Sequence, residues 1–453
     1  MKPALALLAL LLAASAVAAA QVPPAETGPG GLPVSGTLIC NLRYSQTAEI
    51  DGSLDGQQRS YASAEATYAN LSKRLPFSMR YGGGYGKVWA GPPSAGDVYQ
   101  HLMFSQGWIG RAWSLTGSEN ASYTFETPTT GFSGVPGSGE PIGGSGSPNQ
   151  PDQTVLALNT RVFDNTASVA FGERLNGATT LSASGATGQI HFIDKNGLNT
   201  DTLLAEAGIT RRLDARDSVS SQYSISHYSY SSTGFSTLTN TVQFSMTRQW
   251  SRRLSTAASA GPLWIASSGT SSASGLAVPD STMLSLNASA LYQLRRGSAN
   301  VSYFHGTAGG SGYMLGSKID SVNAGYTRDF GRSLTVGVTG SYTRSDSLIG
   351  NEILGICTNG SGSSFSCLLQ VDYTPVSNAR YGGAQATRKL GRYLNVFANY
   401  TVFDQSANLQ INAQISGGGT TSTGSANANI LNGLTQVIGF GIAYAPREIH
   451  LRK

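Results

Sequence analysis

A chain of 453 residues can hold two or three soluble domains or one large barrel, and only 12 % of it is charged while 56 residues are glycine. So little charge fits neither a disordered acidic segment nor an ordinary soluble enzyme. The net charge of +5 invites an anionic partner, and where the basic residues fall decides which one.

The opening MKPALALLALLLAASAVAAAQ has Lys2, an apolar run from Ala4 to about Leu12, and the small residues Ala18, Ala19 and Ala20 before Gln21. A basic start, a short apolar run and an A-x-A-like site predict a secretory signal peptide over residues 1–20. The run is too short for an anchor, and Cys40 lies too far on for a lipoprotein. Beyond it, no stretch reaches the roughly 18 apolar residues of a transmembrane helix. Residues 21–35 form a short periplasmic segment, far too small for a plug.

From about residue 36 the chain reads at period two. The first strand is expected over 36–50 and carries Cys40. In TLTNTVQFSMTRQW, Leu238, Val242, Phe244, Met246 and Trp250 oppose Thr239, Thr241, Gln243, Ser245 and Thr247. MLSLNASALYQL sets Leu284, Leu286 and Tyr292 against Ser285, Asn287 and Gln293; SLTVGVTGSYTRS sets Leu334, Val336 and Val338 against Thr335 and Thr339. LTQVIGFGIAYAP closes the series with Leu434, Ile438, Phe440, Ile442 and Tyr444 on one face.

A soluble sandwich also alternates, but its strands average about 5 to 6 residues and its polar faces carry many Lys and Glu. Here the strands are about twice as long and their polar faces are Ser, Thr, Asn, Gln and Gly. A membrane-spanning strand needs about 9 to 11 tilted residues and must be paired on both edges, so the sheet has to close. The fold class is all-β, an antiparallel up-and-down transmembrane barrel over residues 36–446, followed by a basic tail at 447–453.

Eight turns can be aligned on a large apolar residue: Leu75, Trp108, Leu175, Leu213, Trp250, Leu294, Phe330 and Leu390. Short Asn-, Gly-, Asp-, Ser- and Arg-containing connections follow each of them, as tight hairpins require. The opposite strand ends are joined by longer segments, such as 127–152, 347–377 and 406–431. Short periplasmic turns and long extracellular loops are the asymmetry of outer-membrane barrels. Eight turns, a first upward strand and a last downward one (432–446) give 18 strands, the 67-residue gap after Trp108 being filled by loop 127–152 and one long strand, 153–175. The count falls to 16 if the 76–108 hairpin does not span.

Four turns read Thr-Arg-x-(large apolar). Arg211, Arg248, Arg328 and Arg388 precede their anchors by two residues and so share the outward face. At the inner rim they point toward phospholipid headgroups, with Trp108, Trp250 and Phe330 supplying part of an aromatic girdle. About 20 of the 30 Lys and Arg lie in these turns or the tail. The basic balance is therefore a membrane-surface feature, and nucleic acid is not an expected partner.

Cys357 and Cys367 bracket TNGSGSSFS and are expected to form a disulfide in an oxidising exterior. Closing that ring stabilises the loop by roughly 2 to 3 kcal/mol in the chain-entropy model.

The repeated Thr-Arg turns, the stretch TPTTGFSGVPGSGE (127–140) and the ending APREIHLRK carry a resemblance. In architecture the chain resembles outer-membrane porins, and it is more closely similar to a largely uncharacterised family of Gram-negative outer-membrane β-barrel proteins. The resemblance implies passive diffusion or an undefined envelope role. Porins usually end on an aromatic assembly signal, whereas this chain continues past Tyr444 to Lys453; Phe440, Ile442 and Tyr444 are expected to serve as an internal version.

Enzyme motifs are missing. His101, His191, His227, His305 and His450 fall in no metal-spaced pair, and G-x-S-x-G and C-x-x-C are absent. His227, beside Tyr223, Tyr228 and Tyr230, reads as a rim or lumen cluster. No cofactor and no metal are expected. Lumen charge is sparse, with Glu65 and Glu206 the clearest candidates, so the lumen should favour small neutral hydrophilic solutes. The alternative is a non-conducting barrel acting through its loops as scaffold, adhesin or export component. Expected partners are outer-membrane lipids, those solutes and the barrel-assembly machinery, with a homo-oligomer left open.

Overall fold

Side chains that alternate between greasy and small polar make a strand with two different faces, and such strands pair readily edge to edge. In the computed structural model the strands are β1 (Thr37–Asp51), β2 (Gln57–Asn70), β3 (Phe77–Ala90), β4 (Asp97–Ile109), β5 (Trp113–Phe125), β6 (Arg161–Arg174) and β7 (Thr179–Phe192). They continue as β8 (Thr200–Arg212), β9 (Asp217–Tyr230), β10 (Phe235–Gln249), β11 (Leu254–Ser268), β12 (Ser281–Leu294), β13 (Gly297–Ala308) and β14 (Ser317–Phe330). Last come β15 (Leu334–Ser347), β16 (Asn351–Gly355), β17 (Leu368–Lys389), β18 (Leu394–Gly417), β19 (Thr420–Tyr444) and β20 (Ile449–His450). The structure describes residues 37–51, 57–70, 72–90, 97–125, 161–193, 199–230, 235–268, 280–308, 316–348, 351–355, 368–417, 420–446 and 449–450. The expected signal peptide, the segment 21–35, the loop 127–152 and both Cys357 and Cys367 lie outside these residues.

The sheet closes. Neighbouring strands are antiparallel throughout, and β19 returns to β1 in a register running from Leu42↔Tyr444 to Asp51↔Thr435. Apart from the short β16, which pairs with the start of β17, and β20, which meets Thr37 and Leu38, 18 strands run round the barrel. β3 and β4, with 14 and 13 residues, are full members, which removes the 16-strand alternative. Over the span common to the 18 strands closure pairs every strand on both sides, the condition a wall in hydrocarbon must satisfy, while β19 before Thr435 pairs only with β18.

Two expected loops are corrected. Segment 406–431 is mostly strand: β18 and β19 run on for 24 and 25 residues, β18 to Gly417 and β19 from Thr420. Leu409, Ile411, Ala413 and Ile415 keep the two-residue period there, and each backbone has a partner to pair with. Within 347–377, residues from Leu368 onward already belong to β17. The strand expected from 153 begins, in the described residues, at Arg161.

Seven of the eight expected turns follow their anchors, while the first bends at 73–75 and ends on Leu75 itself; in five of the eight the residue after the anchor explains the tightness. Asn176 Oδ1 accepts the N–H groups of Ala178 and Thr179, both at 2.9 Å. Asp214 Oδ1 accepts those of Arg216 and Asp217 at 2.6 and 2.8 Å, and Ser251 Oγ those of Arg253 and Leu254 at 3.2 and 3.1 Å. A short side-chain oxygen thus stands in for a backbone acceptor. Where the turn instead needs positive φ, glycine supplies it: Gly331 at 71° and Gly391 at 123°.

The two faces separate by chemistry. On β1, Leu42 and Tyr44 are 54 % and 42 % exposed, whereas Ser45 and Thr47 beside them are 2 % and 6 %. The exposed large side chains, among them Phe244, Phe440, Ile438 and Val338, form an apolar outer belt. Hydroxyl and amide residues share the inner wall with buried aromatic and aliphatic side chains such as Tyr61, Ile190, Leu263 and Phe403. Ser218, Ser220, Gln222 and Ser224 of β9 stand opposite Thr247, Ser245, Gln243 and Thr241 of β10.

Candidate functional site

At the short-turn end, register puts Arg211, Arg248, Arg328 and Arg388 on the outer face, opposite Val219, Asp217, Val336 and Leu334. The Arg248 guanidinium lies 4.5 Å from the Trp250 ring centroid, and that of Arg328 lies 5.3 Å from the Phe330 centroid. A cation over a ring face is attracted by its quadrupole, so each Arg leans on the anchor two residues ahead. Trp108, Trp250 and Phe330 are all at least 40 % exposed. A contact that the sequence did not announce joins Arg248 Nε to Asp217 Oδ1 at 3.7 Å across β9 and β10. In the turn below it, the N–H groups of Arg216 and Asp217 hold the Asp214 carboxyl below the usual carboxylate range.

Glu65 and Glu206 both fall on the inner face by strand parity. Glu65 sits between Asn41 and Gly82, and Glu206 between Ser184 and Ser224. Glu65 Oε2 takes a hydrogen bond from Arg80 Nη2 at 2.8 Å, and its Oε1 accepts from the Thr67 hydroxyl at 3.3 Å. Arg80 is one of three arginines on this wall. Arg43 on β1 lies 4.1 Å over the Phe397 ring, and Arg59 on β2 is 3 % exposed. Projected onto β2 through their partners Ser63 and Thr67, Arg59, Arg43 and Arg80 occupy successive levels four residues apart, roughly 13 Å each. Asp164 joins Glu206 on the inner face of the neighbouring β6–β8 wall. Parity counted from Ser45 and Thr47 would have found Arg43, and parity counted from Glu65 would have found Arg59; Arg80 needed the register.

Alternation divides the His227 cluster: His227 and Tyr223 face out while Tyr228 and Tyr230 face in. His101 reaches Asn120 Oδ1 at 3.1 Å on the inner wall. His305 Nδ1 lies 2.7 Å from Asp320 Oδ1, which also accepts from the Tyr303 hydroxyl at 3.0 Å, on the outer face. These hydrogen bonds include no Ser, Thr or Cys nucleophile. Among the described residues no group of three or more His, Cys, Asp and Glu gathers as a metal site.

No family model and no curated protein matches the chain. Among solved structures it is similar to OccK7 (OpdD) of Pseudomonas aeruginosa, at 12 % identity over 91 % of this chain and 98 % of that one, with a TM-score of 0.43. OccAB4 of Acinetobacter baumannii is 6 % identical over 92 % and 98 %, with a TM-score of 0.43. The ferric-catecholate import receptor Fiu of E. coli K12 is 11 % identical over 89 % and 81 %, with a TM-score of 0.39. What this chain does must therefore be argued from its own wall.

Proposed function

We propose that the protein is an outer-membrane channel through which small, neutral hydrophilic solutes diffuse passively. The observation that carries this reading is the closure of 18 strands into one barrel with an apolar outer belt and an inner face rich in Ser, Thr, Asn, Gln and Gly, among which packed side chains such as Tyr61, Ile190 and Phe403 also point inward. The inner-face charges support weak selection by sign, because Arg80 is paired with Glu65 and the inner face carries Glu49 on β1 as well as Arg43 and Arg59. In this reading residues 1–20 direct export and are removed, residues 21–35 remain periplasmic, the barrel-assembly machinery inserts 36–446, and the Arg and aromatic rim sits in the inner-leaflet headgroups. Single-channel conductance of the refolded chain in a planar bilayer tests it, with sugar-driven swelling of liposomes alongside. Discrete current steps and swelling are expected. Silence in both would favour the loop-mediated envelope role instead.

Glu119 supports a homo-oligomer. It lies on the outer face of β5 between Trp113 and Tyr123, directly opposite Phe104 and Ala167. A carboxylate at that depth is costly against lipid. Gln100, Asn165 and Gln189 share the same outer face on β4, β6 and β7, so a two-fold dimer packed on this face would have amide donors available for each Glu119. Glu119→Leu should convert the oligomer to monomer in mild detergent, as read by native mass; an unchanged mass, or a monomeric parent, discards this interface.

A further inference from the structure

The inner wall of the long-loop end is packed where a wide cylinder would leave it open. Tyr230, the last residue of β9, is 0 % exposed and stacks on Phe235, the first of β10, with ring centroids 6.0 Å apart. Its other neighbours come from a distant part of the sheet. Leu348, just past β15, packs into the same cluster. A Cβ placed on Gly316, just before β14, would lie 3.3 Å from the Tyr230 hydroxyl and 3.2 Å from Leu348 Cδ1. Gly316 has φ +65°, and its carbonyl accepts the Leu348 N–H at 3.1 Å.

In the sheet, β10, β11, β12 and β13 stand between β9 and β14. Five strand spacings amount to roughly 24 Å along the wall, far beyond the reach of a tyrosine side chain. The contact therefore requires the β9–β10 and β14–β15 ends to lean inward across the mouth. The seam is dry: Thr200, Thr237 and Ser317 beside it are each 1 % exposed or less.

We propose that Tyr230, docked on Gly316 and Leu348, is the size-determining residue of the channel, a cross-bar that divides the mouth and forces solutes past one side of it. The inference rests on the channel reading above. Tyr230 is itself fully covered, so it acts by holding the seam shut: an aromatic ring packed on both sides fixes the joined strand ends as an obstacle in the mouth. Glycine suits position 316 because a Cβ there would crowd both partners and φ of +65° is a conformation that other L residues rarely adopt.

The test uses the full chain with Cys40, Cys357 and Cys367 replaced by Ser. Tyr230→Ala should raise single-channel conductance and admit larger oligosaccharides in liposome swelling, and Leu348→Ala should shift both in the same direction. Tyr223→Ala, on the outer face of the same strand, should change neither. The double variant Tyr230→Cys/Leu348→Cys should be joined by a short bifunctional thiol reagent, giving a faster-migrating band in denaturing gels. A conducting parent whose conductance and size limit are unaltered by Tyr230→Ala and Leu348→Ala overturns the cross-bar alone. A silent parent whose Cys pair still cross-links overturns the channel reading and the size role with it, leaving only the contact.

Discussion

Arg80 Nη2 and Glu65 Oε2 meet at 2.8 Å on the inner wall, fifteen residues apart in sequence and on adjacent strands. Their side chains are 37 % and 28 % exposed, so the pair is wet and contributes little to stability. Its consequence is electrical. Glu65 cancels one of the three arginines on this side of the lumen.

Removing that cancellation should be visible as selectivity. Glu65→Gln keeps the size and the acceptor oxygen but leaves Arg80 uncompensated, so reversal potentials across a salt gradient should move toward anion preference. Glu65→Gln/Arg80→Gln should restore the parent value. A reversal potential that does not move in the single variant would remove Glu65 from the permeation path.

The rim makes a separate prediction. Each basic residue near an anionic surface is worth about 1 kcal/mol, so replacing Arg211, Arg248, Arg328 and Arg388 together with Glu should impair insertion strongly. Arg248→Glu should be the worst single change, because it also sets a second carboxylate beside Asp217. The heat-modifiable folded fraction in membranes reads this. Equal insertion of parent and quadruple variant would make the turns ordinary solvated loops.

Orientation can be read with an impermeant thiol reagent in a background lacking native cysteines. Gly331 and Gly391 are poor positions for the label, since their positive φ would strain a cysteine. Arg332→Cys and Arg392→Cys, next to them, should label only after the outer membrane is permeabilised, whereas Ser145→Cys should label in intact cells. The reverse pattern inverts the topology. In the parent, Cys357 and Cys367 should label only after reduction, as the proposed disulfide demands.

Asp214 gives the turns a pH dependence. Hydrogen bonds from the N–H groups of Arg216 and Asp217 stabilise its charged form and lower its folded pKa. Its contribution is therefore complete above the unfolded carboxylate pKa and is lost as pH falls through the folded value. Asp214→Asn keeps the acceptor but has no charge to lose. The difference between parent and variant in denaturant midpoint should be largest near neutrality and shrink in acid; a pH-independent difference would mean that the charge is not what closes this turn.

Much of this architecture was legible in the residues alone, and the reason is local. Side chains alternate along any strand, so Leu238, Val242 and Phe244 against Thr239, Thr241 and Gln243 fixed the faces of β10 without knowledge of a partner. A large anchor followed by Asn176, Asp214, Ser251, Gly331 or Gly391 marked the turns because those residues satisfy a tight turn themselves. Where the period carried on through Leu409, Ile411 and Ile415, a loop was expected and strand was found; composition had outweighed alternation there. What only the tertiary structure decided is contact across strands. The pairing of Arg80 with Glu65 depends on register, and that of Arg248 with Asp217 on the same cause. The docking of Tyr230 on Gly316 and Leu348 depends on how far two hairpin ends lean into a closed cylinder. Local periodicity sets which way a side chain faces, but distances between strands far apart in the sheet exist only once the barrel has closed.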